Sequence, residues 1–146
     1  NAWRVIVSHA EAAYPNECCG AMVGLSKGEE KLVRQAWRLT NAYQGSQRDR
    51  YEIPPEELLG VEKQARSAGL EVIGIYHSHP DCDAYFSETD LKNSCPWYWF
   101  LVVSVKQGRV DHAACFAPDA QQTAARRLLL VLPEEGIFQP NRVIAR

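Results

Sequence analysis

Apolar residues along this chain fall into two patterns, compact runs and a recurrence every three to four residues. Cys18 to Leu25 is a compact apolar run broken by glycine, and Lys31 to Leu39 follows after the turn signal Ser26-Lys27-Gly28-Glu29. Leu70 to Tyr76 and Tyr98 to Val105 are rich in β-branched and aromatic residues and read as buried strands. Val110 to Phe116 returns after Lys106-Gln107-Gly108-Arg109 and completes a hairpin. Between these runs, Leu58, Val61, Ala65 and Ala68 recur at helical spacing behind Pro54-Pro55, and Gly69 ends that helix. Ser8 followed by Glu11 has the pattern of a capping box and predicts a short helix from His9 to about Tyr14. A further helix is predicted from Ser87 to about Ser94, and a short strand at Arg50–Ile53 after the polar loop Asn41–Asp49. Over Asp119–Leu132 the first half favours helix, while Leu128–Leu132 fits a helix end or an edge strand; Pro133 onward reads as a surface-packed tail. Strands that pair partly as hairpins and alternate partly with helices predict an α/β domain with one mixed sheet covered by helices.

The length, 146 residues, suits one domain, and 46% hydrophobic with 23% charged residues is ordinary globular composition. A net charge of -2 argues against a broad basic face for nucleic acid or anionic lipid. No apolar run approaches the roughly 18 residues of a membrane span, and the first residues lack the apolar core of a signal peptide. The cysteines, at 18, 19, 82, 95 and 115, are odd in number and include no C-x-x-C pair. Reduced thiols and a cytoplasmic setting are therefore expected.

Chemistry concentrates between His77 and Asp90. His77 and His79 lie two apart at the end of a predicted strand, so both imidazoles point to one face. Pro80 ends the strand, and Asp90 returns after a loop as a carboxylate that could complete a ligand set. Two histidines and one aspartate with a fourth position open is the catalytic form of a zinc site. Zinc lowers the pKa of bound water to about 7, and Glu17 is the candidate base for that water. Bland readings stand beside these. Ser87-Glu88-Thr89-Asp90 also makes a helix capping box, the histidines could be ordinary core or surface residues, and Glu17 could be a solvated or capping carboxylate.

Taken together, His77, His79, Ser87 and Asp90 reproduce H-x-H-x7-S-x2-D without departure in spacing. Joined to Glu17-Cys18-Cys19-Gly20 upstream, the segment resembles the JAMM (JAB1/MPN/Mov34) zinc metalloprotease motif over about His9 to Val105. Phe86 departs from it, standing where many members carry proline. The resemblance implies a curved mixed sheet flanked by helices, of cytidine-deaminase-like architecture, with one zinc ion per chain on His77, His79 and Asp90. It implies Glu17 as general base and Ser87 as donor to the oxyanion. The implied reaction is hydrolysis of a peptide or isopeptide bond after the C-terminal Gly-Gly of a ubiquitin-like or sulfur-carrier protein, captured by strand addition. Only seven residues separate Asp90 from Tyr98, too few for the insertion that larger deubiquitinases carry there, so a minimal prokaryotic-type enzyme is expected. The implied domain spans residues 1–146, with a core over about 5–118 and a C-terminal extension from about 119.

The rival from another class is a non-enzymatic MPN-type scaffold that binds a protein partner; such members typically lack the ligands present here. A relation to DNA-repair-associated JAB proteins is disfavoured by the acidic balance. The sequence has no H-E-x-x-H, P-loop or deaminase pattern. His9 and His112 read as surface or satisfied residues, Cys82 as a passive loop thiol or one that oxidises to block the site, and Cys18 and Cys19 as pointing to opposite faces. Trp97, Tyr98, Trp99 and Phe100 read as core, or as a partner patch should two of them be exposed.

Overall fold

The computed structural model describes residues 1–133 and 143–145. Its elements run α1 (Ala2–Ala13), β1 (Cys19–Lys27), β2 (Glu30–Leu39), α2 (Pro55–Ser67), β3 (Glu71–Pro80), α3 (Glu88–Lys92), β4 (Trp99–Lys106), β5 (Arg109–Pro118), β6 (Ala125–Leu128), β7 (Leu130–Val131) and β8 (Val143–Ala145). The strands form one sheet in the order β6-β5-β4-β3-β1-β2-β8-β7. β3 and β4 are parallel and every other neighbouring pair is antiparallel, so the sheet is mixed, as expected.

Helices cover both faces. Ala2, Ile6 and Ala10 of α1 pack with Cys18, Met22, Tyr76, Leu101, Val103 and Val105 on one face. Val61 and Ala65 of α2 pack with Cys19, Ala21 and Val23 on the other. Leu101, Val102 and Val103 are fully buried because β4 is covered from both sides, which is why its sequence reads as a continuous apolar run rather than an alternating one. Cys18 and Cys19 do face opposite ways, and all five cysteines are unpaired. Of the aromatic cluster only Trp97 is exposed; Tyr98 and Phe100 are buried, so the cluster is core rather than a partner patch.

Four sequence expectations are corrected. The first helix begins at Ala2, capped by Asn1, whose Oδ1 accepts from the Trp3 N–H at 3.0 Å. Ser8 and Glu11 do not cap it. Ser8 Oγ accepts from Arg38 at 3.1 Å, and Glu11 accepts from the Val110 N–H at 3.1 Å, so tertiary partners claim both side chains. Arg50–Ile53 is no strand: the Asn41 amide takes its backbone, accepting from Glu52 N at 3.2 Å and donating to Arg50 O at 3.1 Å. The segment after Pro118 is no helix, since Asp119 accepts from both the N–H and the hydroxyl of Thr123 and closes a turn before β6. Residues 143–145 of the presumed tail form β8, which pairs with β2 and β7; residues 134–142 and 146 lie outside the described residues. Among the described residues no helix is long and apolar enough to cross a membrane.

Gly20 is tightly packed on the α1 face of β1. A Cβ there would overlap the Tyr76 ring, which lies across β1 and bonds through its hydroxyl to His9 Nδ1 at 2.8 Å. Burial, reinforced by Arg38, lowers the His9 pKa to about 4, so the ring stays neutral at ordinary pH and can serve this bond. Gly20→Ala is expected to cost about 1–3 kcal/mol, the usual penalty of an overpacked core, measured by urea denaturation.

Candidate metal centre

β3 carries His77 and His79 to one edge of the α2 face, each beside its β4 partner, Val102 and Ser104 respectively. Glu17 arrives from the residues just before β1, where the β1–β3 register sets Cys19 opposite His77. A side chain between the histidines makes this junction tight. Ser78 is fully buried; its Oγ accepts from the Cys18 N–H at 2.8 Å, and its N–H donates to Cys18 O at 3.2 Å. Glu17 is held by its own backbone as well: its N–H donates to Gln47 O at 2.6 Å and its carbonyl accepts from Asn41 Nδ2 at 3.1 Å. Asn41 is therefore a hub tying Glu17 to the extended segment 50–52 beside the site.

Asp90 comes from the first turn of α3, and both readings of its segment are satisfied at once. The capping box is present: Ser87 Oγ accepts from Asp90 N at 3.0 Å, and Asp90 Oδ2 accepts from Ser87 N at 3.0 Å. The same carboxylate reaches the histidines, Oδ1 at 3.2 Å from His77 Nε2 and Oδ2 at 3.3 Å from His79 Nε2. The box aims Asp90. The Ser87 hydroxyl accepts one bond there and keeps its own proton to donate.

The two Nε2 atoms face one another at 3.2 Å, and Glu17 Oε1 lies 4.0 Å from His79 Nε2. All four side chains are buried or nearly so. Glu17 Oε2 has no hydrogen-bond partner, a costly state for a buried carboxylate oxygen. One hydrogen at most fits between the two imidazole nitrogens, leaving lone pairs of nitrogen and oxygen converging on one space. A cation satisfies that donor set. Protonating His77 instead is opposed by burial, which lowers its pKa more than neighbouring Asp90 raises it. His77, His79 and Asp90 each offer one ligand atom within 4.8 Å of the others, so the residues present fit a metal ion.

The carboxylates are driven apart electrostatically. Burial, then the charges of Asp90 and Asp49, push Glu17 up to about 9. Burial also acts to raise Asp90, but the imidazoles of His77 and His79 and the backbone N–H of Ser87 outweigh it and hold Asp90 below the usual carboxylate range. One acid thus holds a proton near neutral pH while the other stays ionised, the division of labour that acid–base chemistry uses.

Sequence reasoning named His77, His79, Ser87, Asp90 and Glu17, and the structure gathers all five into one site. It missed Ser78, Asn41 and Tyr51, whose ring stacks on His77 at 4.6 Å between centroids. Ser78 was open to inference, since side chains alternate across a strand and it must face away from both histidines. Asn41 and Tyr51 carried no signal beyond lying in or beside a polar loop.

Residues 1–123 match the family model of prokaryotic homologs of the JAB domain. The chain is 36% identical over 104 residues to a desampylase of Haloferax volcanii, covering 68% of this chain and 73% of that one. It is 33% identical over 87 residues to the CysO-cysteine peptidase of Mycobacterium tuberculosis, spanning 60% of this chain and 57% of that protein. The solution structure of a Desulfitobacterium hafniense protein superposes with a TM-score of 0.77 at 26% identity, covering 91% of this chain and 89% of that one.

The raised Glu17 pKa has a testable consequence for the metal-free protein. A folded-state pKa above the unfolded value stabilises the fold below the unfolded pKa, and that stability is lost as pH rises toward about 9. Urea denaturation of metal-free wild type and Glu17→Gln is therefore expected to diverge in favour of the variant as pH rises from about 5 to 9. Parallel curves would exclude a protonated Glu17.

Proposed function

We propose, on the premise that this chain belongs to the family of prokaryotic homologs of the JAB domain, that it is a zinc-dependent peptidase or isopeptidase. Its substrate is a ubiquitin-like or sulfur-carrier protein, cut after the C-terminal Gly-Gly. The observation that carries this reading is the convergence of His77, His79 and Asp90 with the unpartnered carboxylate of Glu17 beside them. The names of the relatives, desampylase and CysO-cysteine peptidase, support hydrolysis of protein conjugates.

His77, His79 and Asp90 would hold the ion. Zinc, when bound, supplies a Lewis acid and a water acidified to near neutrality. Glu17 takes the proton of the attacking water on its carboxylate and returns it to the nitrogen of the leaving amine. A cation on the three ligands would favour the ionised form of Glu17, and burial keeps its proton affinity high enough to hold that proton between the two steps. The Ser87 hydroxyl donates its free proton to the oxygen of the substrate carbonyl as charge develops there. A cleft of about 480 Å³ runs from Asp90 between the 49–53 segment and α3, floored by Leu58, Ile75, Tyr98 and Phe100. Its apolar floor and its volume suit an extended chain terminus rather than a folded domain. The scaffold alternative has no observation in its favour, since the ligand set is complete.

The test is cleavage of a ubiquitin-like protein fused after its Gly-Gly to a short peptide, read by mass spectrometry. Zinc-loaded wild type is expected to release the product ending in Gly-Gly, and chelation to stop it. Glu17→Gln is expected to keep zinc and lose about 10²–10⁴-fold in kcat. Wild-type turnover by that variant would remove Glu17 from the mechanism. Ser87→Ala is expected to lose about 10²-fold in kcat and about 1 kcal/mol of stability from the missing cap.

A further inference from the structure

The two histidines of the site are oriented by different means. His77 Nδ1 is buried without a partner, and stacking on Tyr51 holds its ring. His79 Nδ1 lies 3.0 Å from the carbonyl oxygen of Asp83. Because His79 Nε2 faces Asp90, Glu17 and His77, Nδ1 must carry the hydrogen and donate it to that carbonyl. The Asp83 carbonyl thereby fixes the tautomer of His79 and, with the Tyr85 ring edge-on at 5.0 Å between centroids, holds its ring plane. Asp83 itself is exposed, in the loop between β3 and α3, so something else must hold its backbone still.

Two side chains do so from one row of the sheet. His79, Ser104 and His112 lie side by side on β3, β4 and β5, paired His79 with Ser104 and Ser104 with His112. Residues so paired project from the same face. Ser104 Oγ donates to the carbonyl of Cys82 at 2.6 Å, and His112 Nε2 accepts from the N–H of Ala84 at 3.0 Å. The residues before and after Asp83 are thus both pinned. Accepting at Nε2 requires the hydrogen of neutral His112 to sit on Nδ1, where Asp111 Oδ2 receives it at 2.6 Å. Lys106 Nζ adds a bridge between Asp83 and Asp111, at 2.8 and 3.6 Å.

We infer that Ser104 and His112 form a two-point clamp on the loop and are positioning residues for His79. They act through Asp83 without touching the metal ligands' coordinating atoms. The inference rests on the proposed metal site, because its effect is read as affinity for the ion. Removing a hydrogen-bonding partner behind a metal ligand typically costs 10–100-fold in affinity or activity.

The test measures zinc affinity by competition with a chelating dye, with folding checked by circular dichroism. His112→Leu fills similar space without an acceptor, and Ser104→Ala cuts the clamp at its other point. Each is expected to weaken zinc binding about tenfold while the fold is retained. His112→Gln offers an acceptor near the Nε2 position and is expected to restore affinity to near the wild-type value, which a merely space-filling role would not do. Folded His112→Leu and Ser104→Ala proteins that bind zinc as tightly as wild type would overturn the clamp. So would a His112→Gln protein as weak as His112→Leu. Failure of the metal site itself would look different: wild type would bind no zinc, or His79→Ala would bind it unchanged.

Discussion

Two carboxylates and two imidazoles share one buried space, and that electrostatic constraint organises the rest of the molecule. Carboxylates drawn toward one imidazole nitrogen repel each other strongly where water is excluded, and burial penalises each charge further. The protein answers by separating their states. In the metal-free site Asp90 is held ionised beside the two imidazoles and the Ser87 N–H, while Glu17 keeps a proton. A cation in the space defined by His77, His79 and Asp90 relieves the same repulsion, which makes this cluster a poor packing element and a good ligand set.

Holding such a cluster together takes backbone devices rather than apolar contact. Ser78 staples Cys18, Asn41 and Gln47 fasten Glu17, and the α3 capping box aims Asp90. Each uses a side chain bonded to main chain, so each restrains direction as well as position. The sheet supplies the frame. Its one parallel pair among the described residues, β3 with β4, brings the ends of both strands to the same edge, where the site and the 81–86 loop sit. Helices on both faces keep that frame dry enough for the site's charges to matter.

The strands and α2 were legible because burial on both faces leaves continuous apolar runs in the strands, and burial on one face leaves a helical period in α2. Cys18–Leu25, Leu70–Tyr76 and Tyr98–Val105 each fall on a strand of the sheet within a few residues. Most of what was misread shares one cause. Ser8, Glu11 and Asp119 are polar residues whose local signals fit one element and whose bonding partners decided another, and Asn41 takes the backbone of the 50–52 segment that reads locally as a strand. Ser8 and Glu11 imitate a cap, yet Arg38 and Val110 occupy them from β2 and β5. Asp119 could begin a helix, yet its carboxylate closes a turn on Thr123.

The sequence by itself determined which residues could do chemistry: the spacing of His77, His79, Ser87 and Asp90, with Glu17 upstream, is a property of the chain alone. Strand and helix periods then dictate which of them share a face. Only the tertiary structure decided that Glu17 meets the histidines, because the β1–β3 register joins residues about sixty positions apart. It alone decided that Tyr51 stacks on His77, and that Ser104 and His112 hold the loop behind His79. These contacts depend on strand order and on where individual hydrogen bonds close. Neither is encoded in any local run of residues, since many partners offer equivalent donors and acceptors and only the folded sheet selects among them.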